Sequence, residues 1–119
     1  MEKLNIAQLK GKIVSEPEMT ETPNGKKLLK FRLMYYTPQT TDKDGSHANF
    51  IEVLLWEKLA EKYVRYLAKD LEILIAGNFY QSRWEDQNGK KASQFRFSCE
   101  TLAITDIHFS TDEARLSAA

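Results

Sequence analysis

A chain of 119 residues with one cysteine, Cys99, has no partner for an internal disulfide, and its opening MEKLNIAQLK lacks the basic-then-apolar layout of a secretion signal. The expected location is the cytoplasm. No apolar run approaches the roughly 20 residues that cross a bilayer, so no membrane partner is expected. Net charge is also lacking, because seventeen basic residues offset seventeen acidic ones. A polyanionic ligand therefore gains no support from overall charge and has to be argued from local pattern. Repeats and low-complexity tracts are missing as well. There is no Walker-type loop, paired-cysteine zinc site or HExxH, and Cys99 with His47 and His108 is a poor nucleophilic constellation. The stretch around Asp42, Asp44 and Gly45 resembles a calcium loop but has Thr40 and Ile51 where the first and last acidic ligands belong. The expectation is a protein that is not an enzyme and holds no cofactor or metal.

What is present is an ordinary globular composition. Hydrophobic residues make up 42% of the chain, too many for a disordered one, and the length suits a single core. IAQLKGKIV (6–14) alternates Ala7, Leu9, Gly11 and Ile13 with polar residues, as a half-buried strand does. KLLKFRLMYYT (27–37) sets Leu29, Phe31, Leu33 and Tyr35 against an outward set of Lys30, Arg32, Met34 and Tyr36. After a polar loop at 38–48, NFIEVLLW (49–56) reads as a third strand. EKLAEKYVRYLAK (57–69) has Leu59, Tyr63, Tyr66 and Leu67 at helical spacing, with Tyr63 and Tyr66 assigned to helix packing. LEILIAGNFYQSRW (71–84) and ASQFRFSCETLAITDIHF (92–109) are strands four and five, with Phe95, Phe97 and Cys99 assigned to the core. Asn88-Gly89 marks a two-residue hairpin between them, in which both central residues take positive φ. Five strands with a helix between the third and fourth give an OB-fold, a five-stranded Greek-key barrel, spanning 1–109, followed by a short, flexible tail at 110–119.

The outward residues point to function. On strand three, Ile51, Val53 and Leu55 form the better core, which turns Phe50, Glu52, Leu54 and Trp56 outward. Tyr36, Tyr80 and Trp84 join that set by the same alternation. Arg32 lies among them, Lys58 just past Trp56, and Arg83 beside Trp84. Aromatic platforms flanked by cations suit single-stranded nucleic acid, where every base offers a face for stacking and every nucleotide a phosphate. The competing reading is an OB-fold protein-interaction or primosome-type accessory module whose outward aromatics form an interface.

The segments LKGKIVSEPEMTETPNGKKLLKFRL, NFIEVLLWEKLAEKYVRYLAK and IAGNFYQSRWEDQNGKK together resemble the bacterial single-stranded DNA-binding protein family across about residues 4–107. That resemblance implies a non-catalytic OB domain that coats single-stranded DNA in replication, recombination or repair, usually as a homotetramer. The family's four stacking aromatics fall on Tyr36, Phe50, Trp56 and Trp84, and its DNA-contacting cations on Lys58, Lys69 and Arg83. Arg32 and Tyr80 join the candidate site by alternation alone. The chain departs from the pattern where the family has a glycine, here Glu57, and where it has a base between two aromatics, here Glu52. Both acids are expected to weaken phosphate binding. Basic positions after Tyr36 are Thr37 and Gln39, and one more is Tyr80. The family's acidic, Phe-terminated tip does not occur in these residues, so recruitment of other proteins through such a tail is not expected. Leu4 and Ile6, opposite in parity to the core of strand one, are candidates for a subunit contact.

Overall fold

The computed structural model of the chain describes residues 5–37 and 48–105. The loop at 38–47, the last residues read into strand five, the tail, Leu4, His47 and His108 lie outside the described residues. Six strands and one helix follow in order: β1 (Ala7–Ile13), β2 (Glu18–Glu21), β3 (Lys27–Tyr35), β4 (Asn49–Trp56), α1 (Glu57–Tyr63), β5 (Glu72–Glu85) and β6 (Lys91–Ile104). Pairing runs β1-β5-β6-β4-β3, and β1 returns to β3 through Lys12↔Met34 and Ile13↔Leu33. The ring is an OB-fold barrel. All its ladders are antiparallel except β4 with β6, which pair in parallel over Glu52–Leu54 and Arg96–Ser98. The sequence reading missed β2, a four-residue strand that pairs with β3 outside the ring and that prolines on either side had marked as loop.

The alternation read from the sequence holds along the barrel staves. Ile13, Leu29, Phe31, Leu33, Ile51, Val53, Leu55, Ile73, Ile75 and Phe97 are fully or nearly fully buried and form the core. Phe79 packs edge-on against Phe97, with ring centroids 5.1 Å apart. Two glycines allow strands to approach more closely than a side chain would permit. A Cβ on Gly11 would strike the carbonyl of Met34 where β1 crosses to β3, and one on Gly77 would strike the carbonyl of Ser98 at the β5 bulge.

Five local expectations are corrected. The helix ends at Tyr63, not at 69. Beyond it the chain tightens into a turn in which the amides of Tyr66 and Leu67 both donate to the Tyr63 carbonyl. Tyr63 does pack, its hydroxyl donating to the Leu102 carbonyl at 3.0 Å, whereas Tyr66 is exposed in the turn. The hairpin between β5 and β6 is not a two-residue loop, since only Gly89 has positive φ there. The Gly89 amide donates to the Asp86 carbonyl, the Asp86 amide to the Lys90 carbonyl, and the Asp86 carboxylate accepts from the amides of Asn88 and Lys90. This is a three-residue loop with glycine in the left-handed position. Leu54 points outward by parity yet is only 1% exposed, because β4 is flanked on that face by Lys30 of β3 and Ser98 of β6. Phe95, expected in the core, is 64% exposed. β4 stops pairing with β6 at Arg96, so from Phe95 to the turn only β5 lies beside β6 and there is no interior to fill.

Candidate nucleic-acid interface

The register places the outward residues in rows across the sheet. One row runs from Glu18 on β2 through Lys30, Leu54 and Ser98 to Asn78 on β5. The next runs from Arg32 through Glu52 and Arg96 to Tyr80. Above it Met34 faces Phe50, and Ser82 and Trp84 continue the same face out along the hairpin. Trp56 closes β4 opposite Leu28 and supplies the N-cap position of α1, where Lys58 is exposed two residues further on.

The aromatics are available on this face. Phe50 is 50% exposed, Trp84 45%, and Tyr36 is exposed just past the end of β3. Trp56 and Tyr80 are half-buried. Ala92 lies across from Trp84 and is too small to cover the indole. The Arg32 guanidinium sits 5.2 Å from the centroid of the Phe50 ring, within cation–π range.

Glu52 and Arg96 occupy the middle of the charged row. The Arg96 Nη1 lies 4.0 Å from Glu52 Oε1, and both side chains are largely buried. Among the described residues, Glu52 Oε1 and Arg96 Nε have no hydrogen-bond partner, so the pair is held by charge rather than by a formed bond. Burial raises the Tyr80 hydroxyl above its usual pKa, and Arg96 opposes that rise. Glu52 was expected to act as a free repulsive acid. It stands instead between two arginines, and its charge is compensated within the row.

Two cations sit differently from their sequence reading. Arg83 alternates with Trp84 and shares the face of Gln81, to which its guanidinium donates at 2.8 Å. It does not flank the indole on the same face. Lys69 lies in the connection between α1 and β5 beside Asp70, which pairs with Lys12, rather than on the strands that carry the aromatic rows. Arg96 was missed, although the alternation that put Phe97 and Cys99 inward already turned Arg96 outward.

Cys99 is buried, and burial pushes its thiol up to about 12, so the thiolate that nucleophilic chemistry requires is not formed near neutrality. Among the described residues, no group of three or more His, Cys, Asp or Glu is placed to hold a metal ion, and no helix is long and apolar enough to cross a membrane.

Against known proteins, the description "Single-strand binding protein family" matches residues 4–105. A Single-stranded DNA-binding protein of Wolinella succinogenes is 31% identical over 105 residues, covering 86% of this chain and 64% of the relative. The Single-stranded DNA-binding protein of Corynebacterium glutamicum is 29% identical over 96 residues, covering 77% of this chain and 43% of the relative. Single-stranded DNA-binding protein A of Bacillus subtilis is 28% identical over 103 residues, covering 87% and 60%. The chain spans about half the length of the curated relatives it matches.

Proposed function

Because the chain belongs to the single-strand binding protein family, we propose that it binds and protects single-stranded DNA without reading its sequence. What supports this is the face shared by Phe50, Trp56, Tyr80 and Trp84, with Tyr36 exposed just past the end of β3, Arg32 set over Phe50 and Lys58 next to Trp56. Bases stack on the rings, and the cations neutralise phosphates. Arg83 and Lys69 reach the strand only where it leaves that face, one around the hairpin edge and the other beyond α1. The biological setting that fits is replication, recombination or repair in the cytoplasm, with binding rather than catalysis as the activity.

Assembly belongs to the same proposal. One OB barrel covers about 4 to 16 nucleotides, so several linked barrels coat a long strand better than one, and we favour a homotetramer. Ile6, exposed just before β1, and the stretch of β1 that pairs only with β5 offer a strand edge for a second copy. Light scattering at micromolar concentration checks this, and the mass of one 13.8 kDa chain would count against it.

The decisive experiment is a titration with poly-dT at low salt, read by intrinsic fluorescence. Both tryptophans of the chain, Trp56 and Trp84, lie on the proposed face, so saturation should quench most of the emission. A folded protein whose emission and mobility stay unchanged through saturating poly-dT would rule the function out, leaving the outward aromatics to a protein interface.

A further inference from the structure

Phe95 lies outside the barrel core. It has the parity of Phe97, but lies one step beyond the end of β4, and two-thirds of its surface is open. It also borders a groove of about 540 Å³ that Phe50 lines as well. Lys30, Arg32, Glu52, Gln94, Glu16 and Glu18 line the groove together with the two rings.

This lining separates the two parts of a nucleotide. Two phenyl rings provide apolar faces for a flat aromatic ligand, and the amide of Gln94 offers both a donor and an acceptor to a base edge. Glu16 and Glu18, which also line the groove, repel phosphate and leave it to the cations. Lys30 and Arg32 hold the phosphate on the β3 side, continuous with the aromatic rows of the main face.

We propose that this groove is a nucleobase site and that Phe95 is its stacking wall, so that a bound strand engages both faces of the β5–β6 hairpin, Trp84 on one and Phe95 on the other. The inference rests on the single-stranded DNA reading given above and assigns a further residue to it. Because Phe95 touches the base and not the phosphate, its contribution should be independent of salt, in contrast to that of a lysine or arginine.

The test compares wild type with Phe95→Ala and Phe95→Tyr on fluorescein-labelled oligo-dT, by anisotropy over a range of salt concentrations, with light scattering on each protein. Phe95→Ala should weaken binding about 5-fold or more, by the lower end of base–aromatic stacking, at every salt concentration and with an unchanged salt slope. Phe95→Tyr should restore most of the affinity. Equal affinity of Phe95→Ala and wild type would overturn the site while leaving the main function standing. A smaller assembly mass for Phe95→Ala would also overturn it, by making Phe95 a subunit contact. Absence of binding by wild type would instead remove the underlying function.

Discussion

The β5–β6 hairpin arm continues two strands of the barrel wall, yet a side chain of given parity has a different fate on arm and wall. On the wall, Val53, Phe97 and Phe79 stand in one row across β4, β6 and β5, and Phe97 is sealed from solvent. Two residues along β6, Phe95 is on the same side of the strand and open to water. The difference is made by where β4 ends its pairing, a long-range event. Residues on the wall serve the core and the outer face at once, whereas those on the arm are free of the core. Function on the arm can therefore be changed without loss of the fold.

The sharpest way to test that contrast is a pair of identical substitutions. Phe97→Ala removes a fully buried ring from the centre of the barrel and should cost about 3 to 5 kcal/mol, enough to unfold a marginally stable domain. Phe95→Ala should change stability by no more than about 0.5 kcal/mol. Urea denaturation followed by circular dichroism measures both. A large loss for Phe95→Ala would mean that the arm folds back on the barrel and that the contrast is false.

The two tryptophans repeat the comparison at smaller scale. Trp84→Ala, on the arm, should weaken binding to poly-dT about 5-fold to 150-fold and leave the urea midpoint in place. Trp56→Ala, where β4 meets α1, should weaken binding and also lower the midpoint, since that half-buried ring is part of the wall. Equal midpoint shifts in the two variants would erase the distinction.

Much of the wall was legible in the sequence because period-two alternation reports which side of a strand a residue occupies, and Leu29, Phe31, Leu33, Ile51, Val53 and Leu55 all follow it. Alternation does not report what lies across the strand. That is why Leu54 is buried on the outer face and Phe95 exposed on the inner one. The partnership of Glu52 with Arg96 was hidden for the same reason: 44 residues of chain separate them, and only the parallel β4–β6 register brings them together. Helix length was misread because Leu67, at helical spacing, reaches the core from a turn rather than from a helix.

Wall and arm also differ in how they meet a backbone demand that only glycine satisfies without strain. The arm turns at Gly89 with φ 78, and the wall passes into α1 at Glu57 with φ 54. The second position is the one where the resemblance leads to an expected glycine, and its left-handed backbone gives the physical reason. A non-glycine residue in this region costs about 1 to 2 kcal/mol, partly offset because glycine has more freedom to lose on folding. Glu57→Gly should therefore raise stability by about 0.5 to 1 kcal/mol, even though it removes an acid from the first turn of α1. Gly89→Ala should lower stability by a similar amount, because the left-handed turn then bears a side chain. The same urea titration reads both, and the signs must be opposite. A destabilised Glu57→Gly would show that the carboxylate contributes more at the helix start than its backbone conformation costs, and the wall would then gain from the departure.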